Sequence, residues 1–267
     1  MYIEPMKQLR LASGPAHVRV RLHTAIASRI GFLIVQGKLA PGSTLPNETS
    51  LGAEFGVSRT ALREAIKVPA AKGLVEVRRK TGTRVNAHAD WNMLDPEVLG
   101  WMFSGEGIPA GLSDLIEVRM LIEPASARMA ASKASAKDVE DIRLGLEGME
   151  ASIGNLPSSV DADLSFHMAI LEATHNAFMR PFGALIEAAL RGSFRLTSSN
   201  ADLYRLTLPL HRKVLEAIVA RDGAKAEAAM KSVLTQTARD IEEQTKALHA
   251  AQKKSTTSKR KPHRNLR

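Results

Sequence analysis

The stretch from residue 45 to residue 85 limits the possible folds more than any other part of the chain. It reads LPNETSLGAEFGVSRTALREAIKVPAAKGLVEVRRKTGTRV. Apolar residues at helical spacing predict a short helix over about 48–55, Gly56-Val57 predicts a tight turn, and a second helix is expected to begin at Ser58. Alternating residues around a glycine-containing turn then predict a hairpin. This order of elements is that of a winged helix-turn-helix.

The second predicted helix combines a cationic face with an apolar one. Ser58 is a good N-cap, because its hydroxyl can accept a hydrogen bond from an unpaired amide of the first turn. Arg59 and Arg63 lie four residues apart and share one face, while Leu62 and Ile66 supply the side that packs inward. Such a helix fits the major groove of DNA, where guanidinium groups contact guanine edges or phosphates. An ordinary surface helix with two arginines would have the same pattern.

The segment after this helix has the pattern of a basic hairpin. Residues 74–78, LVEVR, alternate as a strand does, and residues 80–83, KTGT, form a turn before the alternation resumes. Four cations lie on or beside this turn: Arg78, Arg79, Lys80 and Arg84. A basic hairpin next to a cationic helix favours DNA binding over the surface-helix alternative.

Three motifs carry a family resemblance: the Leu-Pro-x-Glu lead, the Val-Ser-Arg-Thr-x-x-Arg-Glu-Ala helix and the Gly-Leu-Val entry to the hairpin. With them, the stretch resembles the DNA-binding domain of the GntR family of bacterial transcription regulators. The resemblance implies groove contacts from the second helix and phosphate contacts near the hairpin tip. The residues to which it points are Ser58, Arg59, Thr60, Arg63, Lys80 and Gly82.

Two residues depart from that family pattern. Pro69 stands where the pattern usually has a leucine in the same helix. Proline lacks an amide hydrogen and clashes with the carbonyl four residues back, at a cost of about 3 kcal/mol in an unbroken helix, so we expect a kink or an early helix end there. Thr49 stands where related proteins often have a basic residue. One DNA contact is therefore expected to be missing.

Charge is distributed unevenly along the 267 residues, whose formal net charge is +9. Residues 1–88 hold 14 Lys/Arg and 5 Asp/Glu, residues 89–252 hold 16 and 23, and residues 253–267 hold 7 and 0. A basic first part suits a polyanion, whereas an acidic second part argues against coating of DNA by the whole chain. The chain has no cysteine, which excludes Cys-ligated zinc. No apolar run approaches the roughly 20 residues of a membrane span, so a cytoplasmic protein is expected.

Helical patterns fill almost all of the chain after the hairpin. The expected fold class is therefore mainly α, with an N-terminal winged helix-turn-helix and a C-terminal all-α bundle of six or seven helices. The expected organisation is a flexible lead over 1–22, a DNA-binding domain over 23–88, a junction over 89–95, an effector-binding and dimerisation domain over 96–250, and a basic disordered tail over 251–267.

One predicted helix of the second domain carries a metal-ligand pattern. Asp163 and His167 lie four residues apart, so that a carboxylate and an imidazole share one helix face and can hold one ion. A surface hydrogen bond or ion pair has the same spacing. His211, in a later helix, is the next candidate.

The second domain also resembles a known one, the FCD ligand-binding domain of the fatty-acid-regulator-type branch of GntR proteins. The matching signatures are Glu117-Val-Arg119-x-x-x-Glu123-Pro124, Asp163-x-x-Phe166-His167 with Asn176 later, and His211 followed by Ala217-Ile218 and Asp222. The resemblance implies a divalent ion, zinc or similar, on Asp163, His167 and His211. Val233 stands where the family's fourth ligand, a histidine, would be. A site with three protein ligands leaves one position open for water or an effector oxygen.

The resemblance also implies an effector pocket. Arg119 matches the family arginine that reaches the ligand, and a guanidinium fork binds a carboxylate bidentately. Glu123 and Asn176 are the other expected effector-binding residues. An intrahelical salt bridge between Arg119 and Glu123 is the alternative explanation of their spacing. The junction around Trp91 is similar to that of the branch's sugar-acid repressors, of the galactonate type, which favours a sugar acid such as an aldonate.

Together these patterns predict a transcription regulator rather than an enzyme. The expected partners are operator DNA, a small carboxylate effector and a second copy of the chain, because one winged helix reads too few base pairs. The expected action is repression that the effector releases. A metal-dependent hydrolase with a fused nucleic-acid-binding domain is an alternative, although no residue suggests itself as its general base. A second alternative is a nucleoid-type protein that binds DNA without sequence preference. The acidic excess of residues 89–252 argues against it.

Overall fold

A computed structural model describes residues 16–78, 80–105, 111–197 and 201–258, so Arg79 and the outer parts of the lead and tail lie outside the described residues. The chain forms two compact units that divide after Gly105. Among the described helices, none combines the length and apolarity that crossing a membrane requires.

The first unit is a winged helix-turn-helix, as predicted. Its elements are α1 (Ala16–Val35), α2 (Glu48–Phe55), α3 (Arg59–Ala71), β1 (Val75–Arg78), β2 (Gly82–Val85) and α4 (Pro96–Phe103). Strands β1 and β2 pair antiparallel, with Val75 opposite Val85. Gly82 has a positive φ of 85°, a conformation that glycine adopts without strain.

Local capping explains where α2 and α3 begin. The Asn47 side chain accepts a hydrogen bond from the Ser50 amide at 2.9 Å, and the Ser58 hydroxyl accepts one from the Ala61 amide at 3.2 Å. Gly56, at φ 67°, ends α2 in the left-handed conformation. The predicted N-cap role of Ser58 is thus confirmed. Behind these caps lies one apolar core, which includes Ile26, Ile30, Leu51, Phe55, Leu62, Ile66, Leu74 and Val85.

Pro69 does not end α3. Helix α3 continues through it to Ala71 and is capped at Lys72, so the proline lies within the last turn. The Pro69 carbonyl still accepts a hydrogen bond from the Leu74 amide at 2.9 Å. Only two helical residues follow the proline. The helix therefore ends close to Pro69, as expected, but not at it.

Two helices extend beyond the bounds predicted for the first domain. Helix α1 begins at Ala16, within the segment 1–22 that was expected to be a flexible lead. Helix α4, expected in the second domain, belongs to the first compact unit. Gly31 of α1 lies against the ring of Trp101 in α4, so closely that a Cβ there would be 2.2 Å from a ring carbon. Lys72 also binds Asp95, the N-cap of α4, at 2.7 Å. These long-range contacts, which no local pattern reveals, join α4 to α1 and α3.

The described residues of the second unit form helices joined by turns and loops, in agreement with the predicted bundle. Its six α-helices in that part are α5 (Leu112–Lys133), α6 (Ala136–Ala151), α7 (Leu156–Glu172), α8 (Gly183–Thr197), α9 (Ala201–Val219) and α10 (Gly223–Ser258). Helix α10 packs on α5 and α9, and α6 packs on α7. The bounds of α10 also differ from the prediction, because the helix passes residue 250, where the tail was expected to begin.

A glycine sets the distance between α6 and α7. A Cβ on Gly145 would lie 2.7 Å from the Phe166 Cα and 2.8 Å from its backbone nitrogen, so no larger residue fits there without a backbone shift. Phe166 is fully buried, and its ring meets the rings of both His167 and His211 edge to face. The close approach of α6 therefore fixes the residue that packs beside both histidines.

Replacing this glycine should destabilise the second unit. Overpacking against backbone costs about 1–3 kcal/mol, so Gly145→Ala should lower the midpoint of urea unfolding followed by circular dichroism. Gly100→Ala is the matched control, because a Cβ at Gly100 of α4 meets nothing within 4 Å and gains helix propensity. Equal midpoints for Gly145→Ala and wild type would contradict the packing argument.

Candidate DNA interface and candidate metal centre

The predicted DNA-reading residues all lie on the surface of the first unit. Ser58, Arg59, Thr60 and Arg63, at the start of α3, are all exposed, as are Lys80 and Gly82 at the hairpin tip. Ser58 has its hydroxyl engaged in capping α3. The roles of these residues in DNA contact stay predictions.

Several of the cations near this surface have acceptors within the chain. The Arg63 Nε donates to both carboxylate oxygens of Glu48 at 2.9 Å. Arg78 pairs with Glu76 at 2.8 Å, and the Arg84 Nε donates to the Gly42 carbonyl at 3.1 Å. The hairpin is therefore less available to phosphates than its count of basic residues suggests.

Asp163, His167 and His211 converge in the interior of the second unit. Their ligand atoms all lie within 4.8 Å of one another, although α7 and α9 supply them from distant parts of the chain. The Asp163 Oδ1 lies 3.2 Å from the His167 Nε2 and 3.5 Å from the His211 Nε2. The three residues are 7%, 2% and 2% exposed. The structure thus brings together the residues that the sequence pattern proposed as metal ligands.

The other nitrogen of each imidazole faces an acceptor. The His211 Nδ1 lies 2.9 Å from the Thr207 carbonyl oxygen, one turn earlier in α9. The His167 Nδ1 lies 2.5 Å from the Glu123 Oε2, close enough for an ion pair but without the alignment of a hydrogen bond. The Thr207 carbonyl places the proton of neutral His211 on Nδ1, and the nearby Glu123 carboxylate favours the same tautomer of His167. In the neutral rings each Nε2 then presents a lone pair toward Asp163.

This arrangement leaves buried polar atoms without hydrogen-bond partners. Within the described residues, the Asp163 Oδ1, His211 Nε2, His167 Nδ1 and Arg119 Nη1 are all in this condition. Buried polar groups almost always have partners, because an unpaired one costs about 1–3 kcal/mol. Two imidazole lone pairs and a carboxylate oxygen that face one another are the donor set of a divalent cation. The residues therefore fit the ion that the sequence resemblance implied.

Without a metal ion, the buried carboxylates of Asp163 and Glu123 favour the protonated form of His167. Burial lowers the pKa of His167, but Glu123 and Asp163 together raise it to about 9. Burial likewise raises the pKa of Asp163, but the two histidines outweigh it and hold that pKa well below its usual range. His167 is then a cation near neutral pH, and a metal ion would have to displace its proton.

Glu123 connects the candidate metal centre to Arg119. Arg119 donates from Nε to Glu123 one turn later in α5, and both side chains are almost completely buried. Burial raises the pKa of Glu123, but Arg119 and His167 overcome this effect and hold it at about 2. The intrahelical salt bridge is thus present, and the Arg119 Nη1 is still without a partner, while effector contact by Arg119 and Glu123 stays a prediction.

The other expected residues lie in different surroundings. The Asn176 side-chain oxygen accepts a hydrogen bond from the Phe178 amide at 3.0 Å and so holds the turn after α7; its effector contact stays a prediction. Val233, at the place of the absent fourth ligand, is buried in the apolar core of the second unit together with Phe166 and Ile218. The roles of Thr207 and of Glu123 beside the histidines were missed, because neither contact has a sequence signal of its own.

Comparison with known families agrees with both units. Residues 22–85 match the family described as bacterial regulatory proteins, gntR family, and residues 114–236 match the FCD domain. The galactonate operon transcriptional repressor of Escherichia coli is 35% identical over 220 residues, which are 82% of this chain and 96% of that one. The chain belongs to the GntR family of bacterial transcription regulators.

Two further similarities agree with this result. The regulator LutR of Bacillus subtilis is 31% identical over 209 residues, covering 76% of this chain and 93% of its own. The structure of Lar, which controls the agr system of Listeria monocytogenes, matches with a TM-score of 0.60 at 20% identity, over 83% of this chain and 97% of that one, and so shares the fold. The family members are regulators and not enzymes, so the hydrolase alternative is not supported.

The Arg119 and Glu123 pair makes a stability prediction. Removal of one member of a buried ion pair costs about 3–5 kcal/mol, because the other charge stays buried alone. Arg119→Ala should therefore lower the free energy of unfolding of chelator-treated protein, measured with urea. Arg128→Ala is the matched control in the same helix, because Arg128 forms an exposed pair with Glu227, worth about 0–1 kcal/mol. Similar losses for the two variants would contradict a structural role for the buried pair.

Proposed function

We propose that this GntR protein is a dimeric repressor that binds operator DNA through α3 and releases it when a small hydroxy acid binds in the FCD domain. The observation that supports the proposal most is the set of unpartnered buried atoms on Asp163, His211 and Arg119. A buried site with both a metal-ligand set and a spare guanidinium donor is suited to a ligand that has two different polar groups.

The metal part of the proposal rests on three ligands. Asp163, His167 and His211 would hold a divalent ion such as zinc, and Glu123 and the Thr207 carbonyl would orient the two imidazoles. A bound ion would supply a Lewis-acidic centre that attracts an anionic oxygen. With Val233 in place of a fourth protein ligand, one coordination position is left for the effector.

The effector part of the proposal rests on Arg119. Its Nε and Nη2 both donate to the Glu123 carboxylate, and the Nη2 lies 3.4 Å from the Glu123 Oε2. Its Nη1 has no partner. A carboxylate would satisfy this donor, and a neighbouring hydroxyl or second oxygen would reach the ion. Aldonates have this pattern, since they carry a hydroxyl beside the carboxylate. The relative that controls the galactonate operon supports the same class of compound.

The DNA part of the proposal assigns base reading to Arg59, Thr60 and Arg63, and backbone contacts to Lys80 and Gly82. A single winged helix covers few base pairs, so two copies on half-sites about 34 Å apart would supply the required specificity. Effector binding would lower operator affinity through its preference for the DNA-free state. A hundredfold release requires about 2.7 kcal/mol of coupling.

Elemental analysis tests the metal site. Protein purified without chelator should contain about one divalent ion per chain, and His167→Ala should lose it, because two ligands hold such an ion poorly. His175→Ala is the matched control, since His175 is exposed and pairs with Asp138 at 2.8 Å. Wild-type protein that is free of metal and still responds to its effector would contradict the metal role.

Calorimetry tests the effector class. Galactonate, gluconate and related aldonates should bind wild-type protein and lower its operator affinity in gel-shift experiments. Arg119→Lys should weaken binding by about tenfold or more, because lysine keeps the charge that balances Glu123 but lacks the guanidinium fork. Arg119→Ala is the less suitable variant, since it would also remove the buried counter-charge of Glu123. The sugar-acid proposal would be overturned if hydroxy acids gave no heat while a neutral or acyl compound bound the protein and lowered its operator affinity.

A further inference from the structure

Glu48 and Arg63 form a specific contact between the two helices of the helix-turn-helix. The Arg63 Nε lies 2.9 Å from each carboxylate oxygen of Glu48, although the residues are 15 positions apart, on α2 and α3. Within the described residues, Arg63 donates its side-chain hydrogen bonds to this carboxylate. The contact uses the inner nitrogen of the guanidinium and leaves both terminal amino groups as donors.

Glu48 is held in place more firmly than Arg63. It is the first residue of α2, directly after the Asn47 cap, where the helix N-terminus favours a negative charge. Its side chain is 35% exposed, against 66% for Arg63. The carboxylate thus acts as a fixed support against which the longer arginine side chain is aligned.

The pair has little value for stability. Exposed ion pairs between flexible side chains contribute little, since solvent screens them and both side chains lose freedom. A carboxylate beside Arg63, the proposed base-reading residue, also repels phosphates and lowers sequence-independent affinity. Thr49, the next residue, adds no cation to the start of α2. Neither stability nor general DNA affinity therefore accounts for Glu48.

We propose that Glu48 is a positioning residue that sets the sequence specificity of the DNA-binding unit. By binding the Arg63 Nε, it directs the two terminal amino groups toward a base edge and keeps the arginine from turning to a phosphate. The terminal groups match the O6 and N7 acceptors of guanine, which arginine reads in the major groove. The inference rests on the proposed base-reading role of Arg63.

A binding selection from a library of random-sequence DNA duplexes tests this role. Wild type, Glu48→Gln and Arg63→Ala are each selected, and the base preference at every position is compared. The affinity for the best wild-type duplex is then divided by the affinity for a scrambled duplex to give a specificity ratio. Glu48→Gln should lower this ratio about tenfold, lose preference mainly at the base pair that Arg63→Ala also affects, and bind the scrambled duplex more tightly than wild type does.

Glu64→Gln supplies the matched control. Glu64 lies in α3 and pairs with Lys67 at 2.8 Å, so its replacement removes the same charge near the same surface without touching Arg63. This variant should raise affinity for both duplexes by similar factors and leave the base preferences unchanged. Combined with Arg63→Ala, Glu48→Gln should have no further effect on the specificity ratio, which a merely structural role would not predict.

The outcomes separate the two hypotheses. If Arg63→Ala leaves all base preferences unchanged, base reading by Arg63 is wrong. If Arg63→Ala removes a preference that Glu48→Gln keeps, Arg63 reads a base without support from Glu48 and the positioning role is wrong. If Glu48→Gln and Glu64→Gln changed the base preferences and the specificity ratio equally, Glu48 would act only through its negative charge, and the proposal would also be overturned.

Discussion

The interior of the second unit depends on a line of buried charges that runs from Arg119 through Glu123 to His167. None of these side chains is exposed by more than a few per cent. An isolated buried ion is too costly to tolerate, so each member is acceptable only because the next compensates it. Arg119 neutralises Glu123, Glu123 faces the imidazole, and the imidazole faces Asp163. The candidate metal centre and the candidate effector site are therefore one electrostatic system.

Three helices supply this system, and that division has a consequence for regulation. Arg119 and Glu123 come from α5, Asp163 and His167 from α7, and His211 from α9. Because interhelical packing fixes the mutual positions of these helices, a ligand that joins Arg119 to a metal on α7 and α9 would respond to small displacements between them. Gly145, which brings α6 against Phe166, contributes to that fixed geometry from outside the site.

The sequence predicted those features that arise from local spacing. The cap at Ser58, the Asp163 and His167 pair and the Arg119 and Glu123 pair are separations of three or four residues, which a helix converts into contacts. His211 could be named as a further candidate, but only the family resemblance placed it in the same site, because 44 residues separate it from His167. The packing of α4 on α1 was missed, since the fit of Trp101 against Gly31 is a matter of tertiary shape. The extent of α1 and α10 was missed because their outer turns have no clear apolar period.

The two candidate histidine ligands differ in what orients them. A backbone oxygen, that of Thr207, holds the Nδ1 of His211, whereas a side-chain carboxylate, that of Glu123, faces the Nδ1 of His167. Every amino acid provides a backbone carbonyl, so most substitutions at Thr207 would preserve the orientation of His211. The orientation of His167, in contrast, depends on the side chain of Glu123, which a single substitution at that position removes. A substitution at position 123 would therefore alter the orientation of one candidate ligand and leave that of the other unchanged.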